Sequence, residues 1–173
     1  SNYKKTAFAQ CNEILFEIQR YCAAQKRTLL QYFASLGSSR IVAFLLSNFC
    51  VSSLRQSDCL ERGKDTGYGQ EDTPLKIAAR QGYPEIFKLL IKQGAAIVPA
   101  RLGVHTETVL HIACEGLAQA HEAIVSNICQ QSAINQIIDL RKGNGRYSQD
   151  TIDDGATALH LAALQGNAKK IKA

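Results

Sequence analysis

The stretch from Thr73 to Ala95 reads TPLKIAARQGYPEIFKLLIKQGA, and its order of residue types describes two short helices joined by a tight turn. Thr73 is suited to cap a helix N-terminus through its hydroxyl, and Pro74 follows where a missing N–H costs nothing. Leu75, Ala78 and Ala79 give the first helix an apolar face whose small residues let a neighbouring helix approach closely. Gly82 falls where that helix must end and the chain must turn, a position that favours positive φ. Pro84 sits near the start of a second helix, and Ile86, Phe87, Leu89, Leu90 and Ile91 supply its buried stripe. Gln93-Gly94-Ala95 ends it. A unit of this kind cannot bury its apolar face alone, and stacking on similar units solves the problem.

The same pattern recurs elsewhere in the chain. Thr157 opens TALHLAALQGNAKKIKA, Thr108 opens TVLHIACEG with Ala123–Ile128 (AIVSNI) following later, and Thr28 opens a weaker copy, TLLQYFASLGSSRIVAFLLSN. Four copies of one pattern signal a repeat architecture. These segments resemble the ankyrin-repeat family, with its Thr-Pro-Leu-His-x-Ala-Ala-x-x-Gly motif followed by an Ile-Val-x-x-Leu-Leu helix. The resemblance implies an all-α solenoid of stacked helix–turn–helix units over residues 27–173, with repeats starting near 28, 73, 108 and 157. Ahead of it, Phe8, Cys11, Ile14, Leu15, Ile18 and Cys22 recur at spacings of three and four, which suits one helical face. Residues 1–26 are therefore expected to form an N-terminal capping helix over the first repeat.

The spacing departs from a regular array. The threonines lie 45, 35 and 49 residues apart, against about 33 in a regular ankyrin repeat. Insertions are expected around Val51–Gln70 and Gln131–Asp154, emerging as surface loops, and Ser132–Leu140 in the second is apolar enough to pack as extra helix. Gly116 arrives one residue early, and Lys170 stands where an apolar residue should begin the second helix. One further residue before each would repair both, and the chain contains no Met, so the natural chain is expected to carry a Met at each place. The intact mass of the natural protein decides this: a value matching these 173 residues overturns it. The fourth copy also stops mid-repeat, without its Leu-Leu pair, which predicts further repeats or a cap beyond Ala173.

Composition narrows the function classes. A hydrophobic fraction of 46% with 20% charged residues suits a globular protein and argues against disorder. No apolar run reaches the roughly 18 residues of a membrane span. The net charge of +5 comes from basic residues that are dispersed and rarely interleaved with aromatics, so a solvated surface explains it better than a nucleic-acid footprint. The six cysteines, Cys11, Cys22, Cys50, Cys59, Cys114 and Cys129, form no Cys-x-x-Cys pair, and several occupy apolar helical positions. They read as reduced, buried thiols of an intracellular, cytoplasmic protein.

Each candidate for chemistry has a structural reading that fits better. His111 and Cys114 lie three apart on one helix and could meet as a nucleophile pair. The resemblance instead implies that His111 and His160 are structural hydrogen-bonding groups and that Cys114 fills a small packing position. The remaining histidines, His105 and His121, form no pair with zinc-site spacing. The basic, glycine-rich run Arg141–Arg146 lacks the strand and the Gly-Lys-Thr/Ser context of a phosphate loop and reads as an insertion loop. Asp150, Asp153 and Asp154 cluster before the fourth repeat, where Asp154-Gly155 reads as a turn. No enzyme, cofactor or metal site is expected.

The resemblance implies binding of another protein through a concave surface of hairpin fingers and the solvent side of the first helices. Carried across residue by residue, the fingers offer Tyr68, Gln70, Asp72, His105, Glu107, Asp153 and Asp154. The helix ends offer Arg80, Gln81, Glu115, Leu164 and Gln165. The acidic bias toward the later repeats suits a partner with basic and polar groups, bound by a monomer. The alternative is a targeting or substrate-recruiting domain of a larger protein. Irregular, inserted repeats of this kind resemble those in effectors that intracellular bacteria deliver into host cells, which would place the protein in host cytoplasm.

Overall fold

The computed structural model of the protein describes residues 16–22, 24, 27–48, 73–98, 107–141 and 156–172. Within them the chain folds as four helical pairs. They are α1 (Leu29–Ser35) with α2 (Ser39–Asn48), α3 (Pro74–Gln81) with α4 (Pro84–Lys92), α5 (Val109–Glu115) with α6 (Gln119–Cys129), and α7 (Ala158–Leu164) with α8 (Ala168–Lys172). No strand occurs among the described residues; one isolated bridge joins Arg141 to Thr157.

The first helix of every pair starts at the threonine the repeat pattern singles out. Thr28, Thr73, Thr108 and Thr157 are extended N-caps, and each hydroxyl accepts from the backbone N–H three residues on, at 3.1, 3.2, 3.4 and 3.4 Å. In three copies the side chain at that third position completes a capping box. Gln31 Oε1 accepts from Thr28 N–H at 2.7 Å. His111 Nδ1 and His160 Nδ1 do the same for Thr108 and Thr157 while lying 2.7 Å from the threonine hydroxyl. Two otherwise orphaned helix donors are satisfied at each such start.

Three of the four turns close on a left-handed glycine. Gly37, Gly82 and Gly166 have φ of 71°, 70° and 64°. Each lets the next residue's N–H reach back into the preceding helix: Ser38 to Phe33 O, Tyr83 to Ala78 O and Asn167 to Ala162 O. Gly116 is the exception. Its φ of −68° and ψ of 137° are extended, and α5 ends without this closure. The early arrival of that glycine thus has a local consequence: the residue that should take the left-handed position is still one step short of it.

Two layers result. The first helices pack in the order α1, α3, α5, α7, the second helices in the order α2, α4, α6, α8, and each pair packs internally. Ala34, Ala78, Ala79, Ala113, Cys114 and Ala162 are buried between first helices, where only small side chains permit the close approach. The second layer supplies bulk through Val42, Leu45, Leu46, Ile86, Phe87, Leu90, Ile124, Val125 and Ile128, all within one continuous core. Leu89 and Ile91, the outer members of the expected stripe, are partly buried against it. Residues 16–22 are helical, with Cys22 buried and Ile18 packed on the core; Phe8, Cys11, Ile14 and Leu15 lie outside the described residues. Among the described residues of the second insertion, the expected extra helix is a 3-10 turn, Ser132–Gln136, followed by the fully buried Ile137.

Candidate functional site

Because the first helices lie side by side, residues at equal distance from the capping threonine line up across the stack. Seven and eight residues on stand Ser35 and Leu36, then Arg80 and Gln81, then Glu115 and Gly116, then Leu164 and Gln165. These positions form a ledge at the C-terminal ends of α1, α3, α5 and α7. Leu36 and Leu164 are 54% and 62% exposed, unusual for leucines in so regular a stack. Arg80, Gln81 and Gln165 are exposed, and Ser35 and Glu115 are half-buried. Leu36 escaped the sequence reading, although its offset from Thr28 equals that of Gln81 from Thr73.

Polar contacts between repeats brace the ledge. Arg80 Nη2 donates to Glu107 Oε2 at 3.1 Å, joining the end of α3 to the residue preceding the next cap. Glu107, expected on a finger tip, is itself buried, with its carboxylate turned to Arg80. Gln165 Nε2 donates to Glu115 O at 2.5 Å, tying the fourth repeat to the third. Glu122 receives Asn167 Nδ2 at 3.3 Å and pairs with Lys169 Nζ at 3.4 Å. The other expected finger residues, Tyr68, Gln70, Asp72, His105, Asp153 and Asp154, lie outside the described residues.

The possible nucleophile has no means of activation. His111 Nδ1 is committed to the Thr108 cap. Cys114 is buried, and that burial pushes its thiol up to about 11, with the Lys170 ammonium opposing the rise. Such a thiol stays protonated at neutral pH, the reverse of an activated cysteine. Lys170 Nζ donates to Cys114 O at 3.1 Å and to Gly116 O. Burial lowers the pKa of Lys170, while Cys114 and Glu122 act to raise it. A buried ammonium held by two backbone carbonyls thus occupies the place where the repeat pattern calls for an apolar side chain. Among the described residues no group of three or more His, Cys, Asp or Glu could hold a metal ion. No described helix is long and apolar enough to cross a membrane. Arg141 is exposed, and residues 142–150 lie outside the described residues.

One histidine does inter-repeat work that the sequence reading did not assign. His121, at the start of α6, is buried, and its Nε2 lies 3.3 Å from Arg80 O in the preceding repeat. Its ring fills the space beside both Gly82 and Gly116, where a Cβ on either glycine would collide with it. Tyr83 stands in the same relation to Gly37. A ring from the second repeat and one from the third therefore cover the turn glycines of the repeats before them.

The repeat pattern can be set beside known proteins. The family model described as Ankyrin repeats (3 copies) matches residues 5–101 and 50–139. The chain belongs to the ankyrin-repeat family. Ankyrin repeats make protein–protein interaction modules and are generally non-catalytic. This ankyrin chain is 30% identical over 171 residues to the putative E3 ubiquitin-protein ligase XBAT31 of Arabidopsis thaliana. The match covers 92% of the chain and 33% of that protein, so the ankyrin segment spans about a third of the relative's length.

Proposed function

We propose that the protein binds a folded partner or a peptide of another protein along the ledge at the ends of α1, α3, α5 and α7, on the concave side of the stack. The observation that carries this is the pair of exposed leucines, Leu36 and Leu164, at both ends of a row whose middle is Arg80, Gln81 and Glu115. Apolar anchors beside charged and amide groups supply the desolvated contacts and polar rim that recognition uses. Arg80 has a second duty in bracing Glu107, so the ledge is rigid before the partner arrives, which limits the ordering cost of binding. The finger residues implied by the family pattern, Tyr68, Gln70, Asp72, His105, Asp153 and Asp154, are proposed to share in the binding, and the acidic ones favour a partner with basic groups.

A second reading places this binding in the service of a larger protein, as a targeting or substrate-recruiting domain, including one in a secreted bacterial effector. It is favoured by the match to a third of a protein named as a putative ubiquitin ligase. Both readings use the same ledge.

Affinity capture tests it, comparing the parent with a variant carrying Gln81→Ala, Asp153→Ala, Asp154→Ala and Leu164→Ala. Arg80 is left in place because its loss would strand the buried Glu107 carboxylate. A partner retained by the parent should be weakened at least tenfold by the variant, whose circular dichroism and melting stay unchanged. Equal retention by a folded variant moves the site to the insertions or the opposite face.

A further inference from the structure

The step from first to second helix is longer in the third pair than in the second. Ile86 follows Gly82 by four residues, whereas Ile124, at the equivalent core position of α6, follows Gly116 by eight. The additional residues leave Leu117 outside the core, 81% exposed and the most exposed large apolar side chain among the described residues. The fourth pair does little to cover it. Asn167 stands ten residues after Thr157, the place that Tyr83 holds after Thr73. Tyr83 lays its ring over the turn of the preceding pair. The smaller Asn167 instead borders a recess of about 280 Å³ between the third and fourth pairs, lined also by Leu117, Glu122, Gln165 and Lys169. Gln165 belongs to the ledge as well, so the recess opens beside it.

One wall of the recess is apolar and another carries a carboxylate. The Glu122 side chain is 24% exposed, and the Lys169 side chain paired with it is 74% exposed. Glu122 Oε1 accepts from Asn167 Nδ2 at 3.3 Å, and Oε2 lies 3.4 Å from Lys169 Nζ. Both distances exceed the roughly 2.7–2.9 Å of a good charge-assisted hydrogen bond. The half-buried carboxylate is thus loosely satisfied, and its resident cation sits on an exposed chain that is displaced at little cost. The neighbouring ammonium, that of Lys170, is held instead by Cys114 O and Gly116 O.

We propose that this recess receives an arginine side chain of the protein partner, with its guanidinium on the Glu122 carboxylate in place of Lys169 and its methylene stem along Leu117. The proposal rests on the ledge as a partner-binding surface and names the chemistry of one contact beside it. A planar guanidinium meets both carboxylate oxygens at once, which one ammonium at the end of a mobile chain does not. The methylene stem covers a leucine that otherwise faces water. Because the guest replaces a lysine, the exchange leaves the local charge as it was, and Lys170 keeps its own carbonyls.

Titration of the isotope-labelled protein with the acetylated, amidated peptide Ala-Leu-Arg-Leu-Ala, followed through the amide resonances, tests the proposal. The Leu117, Glu122 and Lys169 signals should shift, and citrulline in place of arginine should weaken binding about tenfold, since it keeps the shape and loses the charge. Glu122→Gln should weaken the arginine peptide to a similar degree, whereas Lys169→Ala should strengthen it severalfold by removing the competing ammonium. Melting of both variants should match the parent, as expected for loss of an exposed ion pair. Equal affinity for the arginine and citrulline peptides overturns the proposal, as do unmoved Leu117 and Glu122 signals or weaker binding by Lys169→Ala. Tighter binding of a peptide with glutamate in place of arginine also overturns it and gives the recess to an acidic guest. A captured partner that Glu122→Gln does not weaken removes the recess and leaves the ledge. Arginine bound at the recess, with no partner held through Gln81 and Leu164, removes the ledge and leaves the recess.

Discussion

Replacing Gly82 by alanine is expected to cost about 2–3 kcal/mol of folding free energy, well above what the change of one methyl suggests. Two separate costs add. Gly82 sits at φ 70°, the left-handed region, where an L-residue with a Cβ is disfavoured by roughly 1–2 kcal/mol. The new Cβ would also lie 2.8 Å from His121 Cε1. The ring has little room to retreat, because it is buried, lies against Gly116 on its other side and holds Arg80 O through Nε2. Moving it gives up that hydrogen bond and the packing between the second and third repeats. Gly166→Ala is the internal control. It imposes the same backbone strain at φ 64° with open space around the new methyl, so about 1 kcal/mol is expected. Urea denaturation of the two variants separates the effects. Equal losses would mean that the ring over the glycine contributes nothing beyond backbone conformation.

That comparison marks the boundary of what the residues disclose before folding. The starts and ends of the helices were legible because they are local. A threonine caps the N–H three residues on, and a glycine nine residues after it takes the left-handed turn, whatever the neighbours do. The alternation of small first-helix residues with bulky second-helix ones likewise announced two layers. Contacts between repeats were not legible, because they depend on which residues of separate units meet. Glu107 reads as an exposed finger residue until the stack brings it to Arg80, 27 positions away. His121 reads only as a histidine without a zinc-site partner until the stack places Gly82 beneath it. Leu36 was hidden for a plainer reason: leucine suits a core, and only the equal spacing from Thr28 puts it on the ledge.

Disturbances of register were visible in the sequence as misfits, and the fold expresses each as a particular compromise. Gly116 gives up the left-handed turn. Lys170 brings an ammonium into a buried position, where the carbonyls of Cys114 and Gly116 compensate it. A buried charge held in this way is tolerated more than stabilising, since desolvation offsets much of what the hydrogen bonds return. Lys170, Gln165, Asn167 and Lys169 thus join the third and fourth repeats through polar contacts. Glu115, Leu164 and Gln165, which the proposed function assigns to partner binding, stand at this junction.

Phe87→Ala should be the most damaging single truncation in the stack, with an expected loss of about 3–5 kcal/mol. Phe87 is fully buried on α4, and α4 lies between α2 and α6 in the second-helix layer. Removing the ring leaves a cavity in the middle of the core, where neither neighbouring helix can close inward without opening its own interface with the next. The position matters as much as the volume. In a linear stack, stability is the sum of units and nearest-neighbour couplings, so damage to an inner unit weakens the couplings on both its sides. The loss is a large fraction of a domain's whole stability, which is typically about 5–15 kcal/mol. The variant should therefore show a lowered denaturation midpoint together with a shallower transition, as the first repeat uncouples from the third and fourth. Leu164→Ala, which truncates an exposed ledge residue, should change stability by no more than about 0.5 kcal/mol. A Phe87→Ala variant that loses less than about 1 kcal/mol, or that keeps the full cooperativity of the parent, would mean that α4 does not couple the two halves of the stack.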